Sequence, residues 1–262
     1  MAQGQRLVAT LLEGFETSRV RRLYVLDYGL FQVHENGRII GITGSLIETV
    51  DGKWILVDTG FASKYLDDRD AAAKEDGLDE FGVILEHGPE HMPAGQLSLL
   101  GLSPADIDLQ ILTHSHIDHV GGIGDFTHVP MVVHKSERAL DRPLYWHDAQ
   151  PFTWPEAQQY ILVEGDTEIL PGLTLLETPG HTPGQMSLLV DLPETGAVIL
   201  TSDTISRPDE LEGDFAGYWR PELAAHHAHR VMDVAGERDA FVIFGHCPHQ
   251  WPTLRKMPEF YG

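Results

Sequence analysis

Three histidines and one aspartate lie within six residues of the chain, at His114, His116, Asp118 and His119. They follow the apolar run 109–112, which predicts a buried strand, and they precede a Gly-Gly pair, which indicates a turn. A strand end followed by a tight loop can direct imidazole and carboxylate groups into one small volume. These groups bind zinc and other divalent first-row metal ions.

The spacing within this stretch favours two centres. His114 and His116 are two residues apart, so on an extended loop they point the same way. Asp118 and His119 come after the chain turns and can face a second centre. The alternative is a histidine-rich surface loop, but the position of the motif between a strand and a Gly-Gly turn favours metal binding.

Residues 114–119 resemble the signature of the metallo-β-lactamase-fold hydrolases, and further motifs of that superfamily follow in order. Residues 178–184 resemble its TPGHTPG loop, 200–203 the strand end with its bridging aspartate, and 244–246 its last histidine. Residues 55–60 resemble the early strand whose aspartate supports the metal loop. The resemblance extends from about residue 23 to residue 250, nearly the whole chain.

The resemblance implies a site for two divalent metal ions, with zinc expected and iron, manganese or cobalt as alternatives. Asp58 would orient the metal loop without being a metal ligand itself. The pair would make a bridging hydroxide near neutral pH, and Asp118 would also act as the catalytic proton shuttle. The implied ligands are His114, His116 and His181 for the first metal, Asp118, His119 and His246 for the second, and Asp203 as the bridge.

The resemblance implies an α/β fold, the αββα sandwich of two mixed sheets flanked by helices. Chain length agrees with one large domain. We expect an N-terminal leader over residues 1–22 and a single metallo-β-lactamase-like domain over 23–262. Within it, the pattern predicts one strand over 169–177 and a helix over 221–235 that ends at Gly236.

The amino-acid composition limits the kinds of molecule that the protein is expected to bind. The chain carries 40 acidic and 18 basic side chains, a formal net charge of -22, which repels phosphate backbones and predicts no nucleic-acid partner. No apolar segment predicts a signal peptide or a membrane span, so a cytoplasmic protein is expected. The single cysteine, Cys247, leaves no intrachain disulfide.

Among the members of this superfamily, the layout most resembles the N-acyl-homoserine lactone lactonases and related small-lactone hydrolases. We therefore expect hydrolysis of a lactone, a small-molecule substrate, by the bridging hydroxide, with a link to quorum quenching. Those lactonases often form dimers, which favours a homodimer here. They carry a tyrosine three residues after the bridging aspartate; this chain has Ser206 there, and Tyr218 is a candidate replacement.

Other functions stay open at the level of sequence. A further ester, thioester or amide hydrolase of the same fold is one alternative, although Ser115 stands where glyoxalase II has a histidine. An iron-dependent oxidoreductase and a non-enzymatic binding protein are the others. The complete ligand set favours the hydrolase.

An aromatic segment lies between residues 144 and 160, broken by prolines. It has two interpretations of equal weight: a hydrophobic cluster under a loop, or a wall over the metal site that holds an apolar part of the substrate. The candidate substrate contacts in it are Tyr145, Trp146, Phe152 and Trp154.

Overall fold

The computed structural model describes residues 12, 14–144 and 149–262. In this part of the chain, twelve strands form two sheets. The strands are β1 Val20–Val33, β2 Ile39–Thr49, β3 Trp54–Val57, β4 Gly82–Glu86, β5 Leu109–Leu112, β6 Met131–His134, β7 Tyr160–Val163, β8 Thr167–Leu170, β9 Leu173–Glu177, β10 Met186–Leu192, β11 Gly196–Leu200 and β12 Phe241–Ile243. The first sheet has the order β4-β1-β2-β3-β5-β6-β7 and the second β12-β11-β10-β9-β8.

Helices cover the outer faces of both sheets. The longest in the described ranges is the helix Pro221–Arg238, whose buried alanines and Val231 pack on the second sheet. The helices are α1 Lys64–Asp67, α2 Arg69–Asp76, α3 Pro93–Ser98, α4 Ile117–Val120, α5 Lys135–Arg138 and α6 Pro221–Arg238. Short 3₁₀ segments span Leu78–Glu80, Pro89–His91, Pro104–Asp106, Ile123–Phe126, Ser202–Thr204, Pro208–Glu212 and Trp251–Thr253.

The main core lies between the sheets. Side chains such as Ile55, Ile111, Leu175 and Leu188 are fully buried there and come from both sheets. Burial of apolar area of this kind is the main driving force of folding. The arrangement is the predicted αββα sandwich, and the fold prediction is confirmed.

Strand direction brings the functional loops to one edge of each sheet. In the first sheet, β3, β5 and β6 run parallel, so the residues that follow them leave the sheet on the same side. In the second sheet, β11 and β12 run parallel, and Asp203 and His246 follow them. Parallel pairing therefore places the candidate ligands of each sheet at one edge of that sheet.

Two element predictions are wrong in detail. The predicted strand 169–177 is two antiparallel strands, β8 and β9, because Pro171 and Gly172 turn between them and Gly172 adopts φ 92. The helix α6 continues through Gly236, and Asp239 in the left-handed region ends it.

The predicted leader lies partly outside the described residues. Of its described part, Leu12 and Phe15 pack into the core between the sheets, and β1 begins at Val20, before the expected boundary. Among the helices described, none combines the length and the apolar character needed to cross a membrane.

Candidate metal centre

Seven side chains meet where the loops of the two sheets converge. Two groups form, and within each group one ligand atom per residue lies within 4.8 Å of the others. The first sheet supplies the 114–119 loop and the second sheet supplies the remaining three residues. The groups are His114, His116, His181 and Asp203, and Asp118, His119 and His246.

Asp203 faces both groups. Its Oδ2 lies 3.3 Å from His181 Nε2 and 3.8 Å from His114 Nε2. Its Oδ1 lies 3.2 Å from His246 Nε2 and 3.4 Å from His119 Nε2. One carboxylate thus offers a separate oxygen to each group, which is the geometry that a bridging ligand needs.

The donor set fits divalent metal ions. In the described part of the chain, Nε2 of His114, Nε2 of His119 and Oδ1 of Asp203 are buried and make no hydrogen bond of normal geometry. His116 Nδ1 and His181 Nε2 face each other at 2.9 Å. Burying such polar atoms is costly unless they are satisfied. Imidazole nitrogens and a carboxylate converging in this way suit zinc and similar ions.

Burial and charge divide the histidines into two types. Burial lowers the pKa of His114 and His116 well below the ordinary value, and neighbouring histidines lower it further. Burial also disfavours charge on His246, but the carboxylates of Asp203 and Asp118 outweigh it and raise the pKa of His246 to about 9. Neutral imidazoles are the form that binds metal, so His114 and His116 are already in that state near neutral pH.

Asp58 lies next to the 114–119 loop and contacts His119 and Thr113. Its carboxylate is 2.8 Å from His119 Nδ1 and accepts hydrogen bonds from the Thr113 backbone N–H and hydroxyl at 2.9 and 2.7 Å. With Nδ1 of His119 engaged by Asp58, Nε2 of the same ring faces Asp118 and Asp203. Asp58 itself has φ 58, an uncommon backbone conformation for a non-glycine residue that clusters at functional sites.

Glu137 is a contributor that the sequence analysis missed. It is fully buried. It accepts hydrogen bonds from the Ser115 N–H at 2.8 Å, the Ser115 hydroxyl at 2.5 Å and the Gly184 N–H at 3.0 Å. It therefore joins the loop of His114 and His116 to the loop of His181. No local signal in the sequence marks it, because its partners are 22 and 47 residues away.

The turn that carries Asp203 is held tightly. Ser202 has φ 46, and its hydroxyl lies 2.9 Å from that of Thr113. A Cβ at Gly245 would collide with the Ser202 backbone, so only glycine lets the His246 loop approach this closely.

A cavity of about 350 Å³ opens beside the two groups. Asp118, His181, Asp203 and His246 line its inner end, together with Ser206 and Tyr218. The Tyr218 ring packs against His181 at a centroid distance of 4.7 Å. The Tyr218 hydroxyl lies 3.3 Å from the Ser206 hydroxyl and donates to Glu210 at 3.1 Å. Burial and Glu210 raise its pKa well above the ordinary value, so the phenol keeps its proton.

The aromatic segment lies elsewhere. Trp154 is buried in a cluster with Leu112 and Val120, with Phe152 packed on it, and neither lines the cavity. This placement favours the hydrophobic cluster under a loop over the wall around the substrate. Tyr145 and Trp146 lie outside the described residues.

Comparisons with known proteins agree with this geometry. A model of the metallo-beta-lactamase superfamily matches residues 41–246. The N-acyl homoserine lactonase AiiA of Bacillus thuringiensis subsp. kurstaki is 34% identical over 224 residues, covering 82% of this chain and 84% of that protein.

The solved structures that are similar over 93% of this chain include two with a bound N-acyl-L-homoserine. A B. thuringiensis AiiA variant with N-decanoyl-L-homoserine bound at the active site has 29% identity and a TM-score of 0.79, with 100% of its chain covered. An N-acyl homoserine lactone hydrolase with its product N-hexanoyl-L-homoserine bound at the catalytic metal centre has 28% identity and a TM-score of 0.76, with 100% of its chain covered.

Proposed function

The chain belongs to the metallo-β-lactamase superfamily, and from that premise we propose that it is a metal-dependent hydrolase that opens lactone rings. The observation that carries the proposal is Asp203, whose two oxygens face two groups of ligand atoms at the inner end of a cavity. The lactonase relatives and the product-bound structures support the substrate class.

Two divalent ions would be held by His114, His116 and His181 on one side, by Asp118, His119 and His246 on the other, and by Asp203 between them. When bound, they supply Lewis acidity that lowers the pKa of water and polarises an ester carbonyl. Zinc is the proposed metal because the five histidines and two aspartates of the two groups offer imidazole nitrogen and carboxylate oxygen, ligands that zinc favours.

The reaction adds water across the ring ester. A bond forms between a water oxygen and the carbonyl carbon, the bond from that carbon to the ring oxygen breaks, and the ring oxygen takes up a proton. The product is a hydroxy acid, whose ionisation releases one proton per turnover.

Asp118 is the proposed proton carrier. Its carboxylate lines the cavity, 3.6 Å from His119 Nε2 and 3.5 Å from His246 Nε2. A carboxylate at this place can accept a proton from water and deliver it to the leaving oxygen.

Tyr218 is the proposed contact to the substrate carbonyl. Its hydroxyl keeps its proton, lies in the cavity and reaches the side chain of Ser206. The phenol that related lactonases carry at the position of Ser206 is thereby supplied from a different point of the chain. Without substrate this O–H donates to Glu210; turned from Glu210 to the substrate carbonyl, it would stabilise the negative charge that develops on the carbonyl oxygen.

Three further properties complete the proposal: a single domain over residues 23–262, a homodimeric assembly and a cytoplasmic location. Limited proteolysis, light scattering and cell fractionation test them separately.

A pH-indicator screen tests the proposed substrate class. It compares γ- and δ-lactones with a phosphodiester and a thioester at equal concentration. We expect proton release with lactones and far slower release with the phosphodiester. A clear preference for the thioester or the phosphodiester would overturn the lactonase proposal.

A further inference from the structure

Arg38 lies on the turn between β1 and β2, at the outer part of the site cavity. Its side chain lines both that cavity and a neighbouring groove of about 680 Å³. The groove is largely apolar, with Leu30, Ile39 and Trp251 among its walls. Arg38 thus forms part of the boundary between the two spaces.

The guanidinium of Arg38 has a positive charge that no described carboxylate balances by direct contact. Arg207, which lines the same two spaces, is paired with Glu210 at 3.2 Å. Glu210 also accepts from the Ser206 N–H and from Tyr218. Arg38 has no such ion pair in the described part of the chain, and its Nε is buried without an acceptor.

This arrangement is unfavourable for the protein alone. Burial lowers the pKa of Arg38 and the nearby charge of Arg207 lowers it further, while Glu210, Tyr218 and Glu35 offset part of this effect. A guanidinium nevertheless stays protonated at all ordinary pH values, so Arg38 keeps a half-buried charge that Glu210 and Glu35 offset without a direct ion pair, and an Nε without an acceptor. An anion in the cavity would give this charge a direct partner.

We propose that Arg38 binds a carboxylate of the substrate, so that the lactone carries an anionic group away from its reacting ring. The proposal rests on the lactonase function and names the substrate class for the same cavity. A guanidinium and a carboxylate match in shape and form short, charge-assisted hydrogen bonds.

The acidic surface does not oppose this proposal. The net charge of -22 repels anions at long range, but exposed charges farther than about 8 Å are screened at physiological salt. A direct contact in a partly buried cavity is screened much less. The local arginine therefore decides which substituent is accepted.

The test uses pairs of acyl homoserine lactones with equal chain length, one ending in methyl and one in carboxylate, over several lengths. We expect the wild type to favour the carboxylate member by about tenfold in kcat/KM at the best length. In Arg38→Met, which keeps an unbranched side chain without the charge, the ratio should fall to about one. Arg38→Lys should retain part of the preference.

Arg19→Met is the matched control, because Arg19 is exposed and lines neither space. Its ratio should equal that of the wild type. A ratio near one in the wild type at every length, or an unchanged ratio in Arg38→Met, would overturn the proposal.

Calorimetric binding of the ring-opened products separates the two proposals. If no lactone is hydrolysed, the lactonase function fails, while an Arg38-dependent preference for the product with the additional carboxylate would still support the anion site. If lactones are hydrolysed without any preference, the function stands and the Arg38 assignment fails.

Discussion

At the scale of single residues, Asp203 and Asp58 are two buried carboxylates with different contacts. Asp203 lies between the ligand groups, whereas Asp58 reaches them only through His119 and Thr113.

Asp203→Asn removes the bridging charge and should reduce kcat/KM by about a thousandfold. Asp58→Asn should cost about 10- to 100-fold. Steady-state kinetics with metal analysis compares them, and near-normal turnover and metal content in Asp203→Asn would refute the bridge.

The proposed substrate contact of Tyr218 can be tested by removing its hydroxyl oxygen. Tyr218→Phe keeps the ring against His181 and deletes the proposed donor, so kcat/KM for a lactone should fall about tenfold or more. Tyr160→Phe is the control, since the Tyr160 hydroxyl donates to the Pro155 carbonyl, outside the cavity. Equal activity of the two variants would show that Tyr218 makes no productive contact.

Glu137 should control metal retention. Glu137→Gln keeps the size, but its amide NH₂ would face an N–H donor of Ser115 or Gly184. We expect the metal affinity of the group around His181 to fall about 10- to 100-fold, measured by competition with a chelator. Glu164→Gln is the control, because the Glu164 side chain is 72% exposed. Unchanged affinity in a folded Glu137→Gln protein would limit Glu137 to a structural role.

These residues differ in how well their roles could be predicted from the sequence. The candidate ligands stand in short motifs, so their chemistry is visible before folding. Glu137 has no such motif, and its role arises only when α5 packs between two loops that are distant in sequence. Tyr218 was named as a candidate, but only the folded chain brings its hydroxyl to Ser206.

At the scale of elements, a short apolar run before a turn could be predicted as a strand, whereas several element boundaries could not be predicted. The strand 109–112 was predicted as it occurs, because a short apolar run before a turn has few alternatives. The strand β4 was missed because it lies in a polar segment and exposes Val83 and Leu85. The turn at Gly172 was missed because the residues on both sides of it continue an apolar pattern.

Substitutions at two glycines test the end of α6 and the turn between β8 and β9. Gly236 is exposed inside α6 with no atom near its potential Cβ, so Gly236→Ala should raise the free energy of unfolding by about 1 kcal/mol. Gly172→Ala should lower it by about 1–2 kcal/mol, because Gly172 has φ 92. Chemical denaturation measures both. A destabilised Gly236→Ala protein would instead favour the helix end predicted from the sequence.

At the scale of the whole molecule, the candidate centre joins the two sheets. The loop 114–119 follows a strand of the first sheet, and Asp203 and His246 follow strands of the second. The fold was predictable because the ordered motifs span the chain. The lactone class was predictable from the same motifs, but the substituent that the lactone carries was not, because we propose that it depends on Arg38, which belongs to no motif.

The most direct test of the account is the rate of lactone opening as a function of metal bound per chain. The protein is stripped with a chelator and then reloaded with zinc in steps, while proton release and elemental content are measured on the same samples. The account predicts no enzymatic rate in the stripped protein and full activity at about two ions per chain, set by the two ligand groups. Full lactone-opening activity in the stripped protein, or saturation of metal content at a single ion, would contradict it.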